Sequence, residues 1–327
     1  MKILVTGAAG FIGSKLMHDL RERGDDVVGI DNFNDYYDVR LKEARVKAMG
    51  LDVRRLDIAE KDRVDTLFAI EKFDKVVNLA AQAGVRYSIT NPYAYLYSNL
   101  VGFMNILEAC RNYGVKHLVY ASSSSVYGMN AKVPYNEDDK ADNPVSLYAA
   151  TKKSNELMAH SYCKLYGIAM TGLRYFTVYG PWGRPDMAPM LFANAISKGE
   201  TIKVFNHGDM IRDFTYIDDI VGGTIACLDH EPTPNKDGLR YRVYNIGCSH
   251  PVRLLDFISE IEQALGVKAK KEFLPMQPGD VYQTNADTTK IETEVGYKPS
   301  VLLHDGIAKF IEWYKSDLNP LNDKRDG

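Results

Sequence analysis

Short apolar runs alternate with amphipathic, helix-like stretches through the first half of the chain, and this alternation limits the possible folds more than any other feature. Apolar runs separated by helices are typical of a parallel sheet that is covered on both faces. We therefore predict a doubly wound α/β sheet whose ligand lies at the carboxyl ends of the strands. The predicted strands are Lys2–Thr6, Asp26–Asp31, Asp52–Asp57, Lys75–Leu79, His117–Ser122 and Ala169–Tyr175.

The pattern changes after about Phe176, where Gly and Pro cluster over residues 179–185 and shorter strand-like segments mix with helix-like ones. We predict a Rossmann domain over residues 1–176. A smaller C-terminal α/β lobe over residues 177–327 is expected to close over it, with parts of the lobe returning to the first domain. The predicted strands of this second half are Thr201–Phe205, Tyr241–Ile246 and Lys270–Phe273, and its predicted helices are Asp218–Leu228, Leu254–Leu265 and Leu303–Tyr314.

Composition excludes several classes of function. The net charge is −3 and basic residues are interleaved with acidic ones, so we expect no nucleic-acid partner. No window approaches the roughly 18 consecutive apolar residues of a membrane span, and the N-terminus has no leader-like pattern. The four cysteines are far apart and the seven histidines lack metal-ligand spacing, which favours reduced thiols and no metal site. We expect a cytoplasmic protein without a membrane partner.

Three glycines, Gly7, Gly10 and Gly13, directly follow the first predicted strand and open a helix with the spacing GxxGxxG. Glycines at this position let the backbone turn tightly and approach a pyrophosphate, while the helix N-terminus supplies N–H donors. A glycine triplet alone is also compatible with a tight turn that holds no ligand. Because the flanking strand and helix are both present, we predict a dinucleotide site that includes Phe11 and Ile12.

Acidic residues end the second and third predicted strands. Asp31 lies eighteen residues after Gly13, where a carboxylate can hydrogen-bond an adenosine ribose and would repel a 2′-phosphate. This favours NAD over NADP, and neither Arg40 nor Lys42 sits immediately beside Asp31 as a phosphate-binding group would. Asp57, followed by Ile58, could meet an adenine amino group or simply cap its strand. The fourth strand ends with the segment Leu79-Ala80-Ala81-Gln82, whose small residues would let a cofactor lie against the backbone.

Tyr148 and Lys152 fall four residues apart in the predicted helix Leu147–Leu165, so their side chains share one helix face. An unperturbed tyrosine has a pKa of about 10 and is a poor base at neutral pH. A neighbouring ammonium and a positive nicotinamide would both favour the phenolate. Most YxxxK patterns are surface pairs, but this one follows the serine run Ser122–Ser125, whose hydroxyls could bridge Tyr148 and a sugar hydroxyl. We predict a catalytic group of a hydroxyl, a phenol and an ammonium.

These motifs resemble the extended short-chain dehydrogenase/reductase family over nearly the whole chain. The segments that carry the resemblance are GAAGFIG, Asp31-Asn32, Ser122–Gly128, YAATK and Arg174–Pro181. More narrowly, the chain resembles the UDP-glucuronate 4-epimerases through Asp31–Lys42, Ser146–Tyr162, Thr177–Met187 and Arg212–Ile220. The resemblance implies that Ser123 is the catalytic hydroxyl, with Ser124 and Ser125 as alternatives. It also implies that Asn32, Asn99, Ser122 and Tyr175 help to bind the cofactor.

The resemblance implies a UDP-sugar lobe as well. Arg212 is similar to a diphosphate-binding arginine, Asp280 to a ribose-binding acid, and Val204–Asn206 to the strand beside the uracil. Each is also compatible with an ordinary surface position. Related galactose epimerases carry Asn in place of Thr177 and usually Arg in place of Gln277, which argues against a plain UDP-glucose epimerase. For a sugar carboxylate, the candidate ligands are Ser124, Ser125, Thr177, Arg86 and Arg184.

The function implied is NAD-dependent C4 epimerisation of UDP-glucuronate through a 4-keto sugar. Two alternatives use the same chemistry: epimerisation of UDP-glucose or UDP-N-acetylglucosamine, and decarboxylation or dehydration. The related decarboxylases and dehydratases carry acidic residues in the serine segment, and this chain has none there. A non-catalytic NAD-binding regulator would be expected to have lost Tyr148, Lys152 or the hydroxyl. The predicted helices Pro92–Tyr113 and Leu147–Leu165 are candidates for a homodimer contact, and use of the product in a surface polysaccharide is a family-level expectation.

Overall fold

A computed structural model describes residues 1–277 and 280–322 of the chain. Its centre is a seven-stranded sheet in which all pairings are parallel. The strands of this sheet are β1 Lys2–Thr6, β2 Asp26–Asp31, β3 Val53–Arg55, β4 Lys75–Asn78, β5 His117–Ser123, β6 Ala169–Tyr175 and β11 Tyr241–Ile246. Their order across the sheet is β11-β6-β5-β4-β1-β2-β3. This order changes direction between β1 and β4, and a crevice opens at their carboxyl ends, where ligands of doubly wound sheets bind.

Helices cover both faces of this sheet. The central strand β1 shows why, because Ile3, Leu4 and Val5 are fully buried although they point alternately to opposite faces. Two of the apolar clusters reflect these two faces: one contains Ile3 and Val5, and the other contains Leu4. The helices in the first half are α1 Phe11–Glu22, α2 Val39–Ala48, α3 Lys61–Glu71, α4 Tyr87–Thr90, α5 Pro92–Tyr95, α6 Gly102–Asn112 and α7 Leu147–Tyr166.

The second half adds three short strand pairs and further helices. Its strands β7 Thr177–Tyr179, β8 Thr201–Val204, β9 Ile211–Arg212, β10 Phe214–Tyr216, β12 Val252–Arg253 and β13 Lys270–Phe273 pair as β7 with β10, β8 with β13 and β9 with β12. Its helices are α8 Ala188–Ser197, α9 Ile217–Asp229, α10 Leu254–Leu265, α11 Thr289–Val295 and α12 Leu303–Lys315. One continuous apolar cluster joins this half to one face of the main sheet.

The predicted doubly wound sheet is confirmed, and several boundaries differ from expectation. Strand β3 covers only Val53–Arg55, because it is an edge strand whose two arginines are exposed. Strand β11, which lies after residue 177, joins the main sheet beside β6. The single helix predicted over Pro92–Tyr113 is divided by a π-helical turn at Leu96–Val101. Where one domain ends and the next begins stays a prediction.

No helix among the described residues is long and apolar enough to cross a membrane. The same part of the chain holds no cluster of His, Cys, Asp or Glu arranged like a metal site.

Candidate active site

A cleft of about 350 Å³ lies at the carboxyl ends of the central strands. A volume of this size is at the lower end of the range for ligand pockets. Most of the residues predicted for cofactor binding and catalysis, and some of those predicted for substrate binding, line this one cleft. They are Gly7, Gly10, Phe11, Ile12, Gly13, Asp31, Asn32, Asp57, Ile58, Leu79, Ala80, Ala81, Ser122, Ser123, Ser124, Ser125, Tyr148, Lys152, Tyr175, Thr177 and Arg184.

The glycine-rich loop between β1 and α1 fits a dinucleotide. Gly7 has a φ of +69°, and a Cβ on Gly13 would lie 2.1 Å from the carbonyl oxygen of Gly7, so neither position tolerates a side chain. Helix α1 begins at Phe11, which leaves its first N–H groups without partners inside the helix. Those donors and the positive end of the helix dipole lie at the cleft, where they suit a diphosphate.

Asp31 is held firmly at the end of β2. Its carboxylate is 7% exposed and accepts hydrogen bonds from the backbone N–H groups of Phe33 at 2.7 Å and Ala9 at 3.2 Å. Lys42 also lies against it, with Nζ 3.4 Å from Oδ1 of Asp31 and 3.0 Å from Oδ1 of Asn34. The expectation that no cation sits beside Asp31 is therefore wrong. Helix α2 folds back over the end of β2 and brings the two residues together.

The side chains of Asp57 and Asn32 hydrogen-bond one another at the cleft. The amide nitrogen of Asn32 donates a 2.8 Å hydrogen bond to one carboxylate oxygen of Asp57, and the other oxygen accepts from the N–H of Ala59 at 2.8 Å. This geometry matches the capping interpretation of Asp57. Both residues still line the cleft, and their part in cofactor binding stays a prediction.

Asn99 is buried behind the cleft and does not line it. Its amide exchanges hydrogen bonds with the backbone of Gln82, at 2.8 and 3.1 Å, and donates to Thr151 at 3.0 Å. Its backbone carbonyl accepts from the amide of Asn155 at 2.7 Å. Asn99 thus links the end of β4 to helix α7, and the structure gives it a supporting position rather than a surface for cofactor contact.

The four serines after β5 have different surroundings. Ser122 donates a 2.7 Å hydrogen bond to Oε1 of Glu156, whose carboxylate also pairs with Arg174 at 2.8 Å. Ser123 is the serine beside Tyr148, and its hydroxyl lowers the pKa of the phenol. Ser123 Oγ also lies 3.1 Å from Ser125 Oγ. The assignment of the catalytic hydroxyl to Ser123 stays a prediction.

Tyr148 and Lys152 lie on one face of α7, which begins at an N-cap formed by Ser146. Burial raises the pKa of Tyr148 above its usual value, and the opposing effects of Ser123 and Arg184 do not outweigh it. Burial also lowers the pKa of Lys152 to about 8. The ammonium donates a 2.9 Å hydrogen bond to the carbonyl of Ala121. The effect of Lys152 on the pKa of Tyr148 stays a prediction.

The residues predicted to bind the sugar nucleotide are less well assembled. Arg184 lines the cleft and is paired with Asp186, which also accepts a 3.0 Å hydrogen bond from Tyr36. Arg86 lies outside the cleft lining, 3.6 Å from Asp280. Arg212 donates to the carbonyl oxygens of Tyr282 and Val281, at 3.0 and 2.6 Å.

Two further residues from the predicted substrate set also lie outside the cleft lining. Val204 is fully buried. The side-chain oxygen of Gln277 is buried without a hydrogen-bond partner among the described residues. For Val204, Gln277, Arg86, Arg212 and Asp280, a role in substrate binding stays a prediction.

Several lining residues were not predicted from the sequence, among them Tyr36, Tyr37, Lys42, Gln82, Gly84, Val85, Ser98 and Met187. Tyr36 belongs to a segment quoted only for its resemblance, and nothing in its spacing indicates a ligand. Tyr36 packs on Tyr87 with ring centroids 4.7 Å apart. Contacts of this kind depend on how loops from different strands meet, which a local pattern does not show.

Comparison with known proteins places the chain in a family. Residues 3–247 match the model of the NAD dependent epimerase/dehydratase family, so the chain belongs to that family. It is 49% identical over 328 residues to UDP-glucuronate 4-epimerase 4 of Arabidopsis thaliana, covering 96% of this chain and 75% of the relative. The predicted family and the NAD cofactor are confirmed.

Solved structures give the same picture. A UDP-glucuronic acid 4-epimerase from Bacillus cereus, in complex with UDP-glucuronic acid and NAD, superposes with a TM-score of 0.88 at 38% identity, covering 96% of this chain and 99% of the other. A UDP-glucose 4-epimerase from Thermotoga maritima, with UDP-glucose, superposes with a TM-score of 0.87 at 29% identity, covering 96% and 98%. The fold is common to both, while sequence identity is higher with the glucuronic acid enzyme.

Proposed function

We propose that this protein is a UDP-glucuronate 4-epimerase, which interconverts UDP-glucuronate and UDP-galacturonate with bound NAD. The observation that carries the proposal is the convergence of Ser123, Tyr148 and Lys152 in one buried cleft beside a dinucleotide loop. The similarity to UDP-glucuronate 4-epimerases over nearly the whole chain supports the choice of sugar. A non-catalytic regulator would not require this arrangement to be kept.

The cleft residues fit NAD in three places. The N-terminus of α1 suits the diphosphate, and the Asp31 carboxylate suits a ribose diol and disfavours a 2′-phosphate. Lys152, beside Tyr148, suits the second ribose. When bound, NAD supplies an acceptor for the C4 hydride and returns that hydride to the sugar, so the reaction has no net redox change. Substrate capture falls to local groups, because the net charge of the chain is −3.

Tyr148 is the proposed base and acid. Its phenolic oxygen takes the proton of the sugar 4-hydroxyl and later gives it back to the opposite epimer. Ser123, which lies beside Tyr148 in the cleft, holds the sugar oxygen near the phenol. Burial raises the pKa of Tyr148, so positive charge in the cleft must lower it again. Arg184 already lowers the pKa of the phenol.

The sugar carboxylate imposes a further requirement. A 4-keto sugar acid is a β-keto acid, and it loses CO₂ when the bond to the carboxylate aligns with the ketone π system. Thr177, Ser124 and Ser125 line the cleft and offer neutral hydroxyls that can hold the carboxylate out of that alignment. Arg184 is already paired with Asp186, so it is not a free cation. We expect the hydroxyls to contribute more to carboxylate control than Arg184 does.

A homodimer is proposed from apolar side chains that the single chain leaves uncovered. They lie along α5, the following π-helical turn and α6, and along the neighbouring helix α7. Tyr93 is 67% exposed, Tyr97 58%, Leu157 62% and Leu165 67%. Apolar surface shared by two adjacent helices is typical of an isologous contact with a second copy.

Two broader proposals concern the location of the protein and the use of its product. A cytoplasmic location is consistent with the four free cysteines, three of them buried. Use of the product in a surface polysaccharide stays a prediction.

Product analysis with a panel of substrates tests the proposal. Purified protein is incubated separately with UDP-glucuronate, UDP-glucose and UDP-N-acetylglucosamine, and products are identified by their anomeric proton signals. We expect UDP-galacturonate from the first and little or no conversion of the other two. A UDP-pentose formed from UDP-glucuronate would show that the protein is a decarboxylase and not an epimerase. Rapid conversion of UDP-glucose would show that the protein acts on neutral sugars. A Thr177→Ala variant that leaves turnover and product ratio unchanged would remove Thr177 from the account of carboxylate control.

A further inference from the structure

Arg45 is a fully buried cation whose charge the surrounding protein does not balance. It lies on α2 with 0% exposure. Its guanidinium donates to the carbonyl of Trp182 from Nε at 3.1 Å and from Nη2 at 2.7 Å, and Nη1 donates to the carbonyl of Ala9 at 3.1 Å and to the hydroxyl of Tyr37 at 2.7 Å. All of these acceptors are neutral. In the part of the chain that the structure describes, Arg45 forms no ion pair.

The nearby acid and the second buried cation compensate one another. Lys42 lies one turn before Arg45 on the same helix and pairs with Asp31 at 3.4 Å. The two cations share one ring, since Lys42 Nζ lies 5.4 Å and Arg45 Cζ 5.5 Å from the centroid of Tyr37. One negative and two positive charges are therefore buried together, and the excess positive charge belongs to Arg45. Burying an unbalanced charge is costly unless a ligand supplies the opposite charge.

The position of Arg45 indicates which ligand that is. Its Nη1 contacts the carbonyl of Ala9, which lies in the turn between Gly7 and Gly10. The N–H of the same residue is held by Asp31, so both ends of the Ala9 residue are fixed by α2 and β2. Helix α1 begins directly after this turn, with its unpaired N–H donors at the cleft. The excess charge thus lies directly behind the loop that faces the cofactor diphosphate.

We propose that Arg45 is a positioning residue for the diphosphate of the dinucleotide. It holds the glycine-rich loop through the Ala9 carbonyl, and its unbalanced charge attracts the two phosphates across the loop. The same guanidinium holds the carbonyl of Trp182, two residues before Arg184, so it also fixes the start of the segment that brings Arg184 to the cleft. The proposal depends on the cofactor and not on the sugar specificity proposed above.

Two ligands, the nucleotide ADP-ribose and the nucleoside adenosine, distinguish an effect of charge from one of structural support. ADP-ribose carries the diphosphate, whereas adenosine has the same base and ribose without any phosphate. Full-length protein freed of nucleotide is titrated with each ligand by calorimetry, as wild type, Arg45→Met, Arg45→Lys and Arg40→Gln. Arg40 serves as the matched control because it is a cation on the same helix but exposed, and it pairs with Asp38.

We expect Arg45→Met to weaken ADP-ribose binding about tenfold or more, and adenosine binding by less than threefold. Arg45→Lys, which keeps the charge, should retain the ratio of the two affinities within about threefold, and it serves as the second test if Arg45→Met does not fold. Arg40→Gln should change neither affinity. If Arg45→Met weakens the binding of both ligands equally, or if Arg45→Lys changes the ratio of the two affinities as much as Arg45→Met does, Arg45 acts only as structural support. No UDP-sugar is present, so failure here leaves the sugar specificity untouched, and failure of the product analysis leaves this result standing.

Discussion

The ammonium of Lys152 donates a 2.9 Å hydrogen bond to the carbonyl oxygen of Ala121, the residue directly before the serine run. This contact ties helix α7 to the end of strand β5. Tyr148 lies one turn before Lys152 on that helix, and Ser123 lies two residues after Ala121. One hydrogen bond therefore fixes the distance between the element that carries the phenol and the element that carries the hydroxyl.

Replacing Ser123 tests which serine assists Tyr148. We expect Ser123→Ala to lower kcat for UDP-glucuronate by about ten- to a hundredfold, because the sugar oxygen loses its partner beside the phenol. The melting temperature should stay within a few degrees. Ser154→Ala is the control, because Ser154 lies on helix α7 but outside the cleft lining. This variant should keep full activity. A larger loss of kcat in Ser125→Ala than in Ser123→Ala would shift the catalytic hydroxyl to Ser125.

The depressed pKa of Lys152 predicts a pH-dependent stability. Its pKa is about 8 in the folded protein against an ordinary value of 10.5, so between these pH values the unfolded chain binds a proton that the folded chain does not. The free energy of unfolding therefore rises with pH through this window as far as Lys152 is concerned. Nucleotide-free Lys152→Met should be more stable than wild type at pH 7 by about 3 kcal/mol, and the difference should vanish near pH 10.5.

Chemical denaturation of both proteins at pH 7, 8.5 and 10.5 gives this comparison directly. Lys164→Met, which removes an exposed ammonium from the same helix, should show no such trend. A difference between Lys152→Met and wild type that is the same at all three pH values would mean that the ammonium is not destabilised by burial. Turnover of Lys152→Met is expected to fall by more than about a hundredfold.

The buried pair of Glu156 and Arg174 is predicted to stabilise the site. Their side chains are 4% and 3% exposed, and the carboxylate also accepts from Ser122. Burial alone would raise the pKa of Glu156, but the hydrogen bonds and charge of Arg174 hold it below its usual value. Glu156→Gln leaves a buried guanidinium unpaired and should lower the free energy of unfolding by about 3 kcal/mol.

The surface pair of Glu60 and Arg63 supplies the control, since its side chains are 47% and 55% exposed. Glu60→Gln should change stability by less than about 0.5 kcal/mol. If the two variants lose similar stability in urea, the Glu156–Arg174 pair is no more important than an exposed one.

The dimer proposal predicts a change in mass. Leu157→Glu introduces a charge into the exposed apolar face of α7, so it should convert the dimer to a monomer at micromolar concentration in sedimentation experiments. Leu302→Glu replaces an equally exposed leucine next to α12 and should leave the mass unchanged. A wild-type protein that sediments as a monomer would contradict the proposal outright.

The sequence predicted the parts that depend on local pattern. Strands β1, β2 and β6 match their predicted limits because continuous apolar runs are easy to recognise. Tyr148 and Lys152 could be paired because helical periodicity alone places them together.

The missed features depend on packing between distant segments. Arg45 reaches the carbonyl of Trp182, which lies 137 residues away, and no spacing rule predicts that contact. Lys42 meets Asp31 only because α2 folds back over β2. The guanidinium of Arg212 donates to the backbone carbonyls of Tyr282 and Val281, and its contact with a diphosphate stays a prediction.

Proton NMR of the reaction in D₂O tests the central claim most directly. Purified protein is incubated with UDP-glucuronate and no added NAD, with Tyr148→Phe as the inactive control. Because the C4 hydride returns to the sugar that lost it, the predicted product is UDP-galacturonate that carries protium at C4. A UDP-pentose with deuterium at C5 would show decarboxylation, deuterium at C4 of the UDP-galacturonate would contradict internal hydride return, and equal turnover by Tyr148→Phe would remove the phenol from the mechanism.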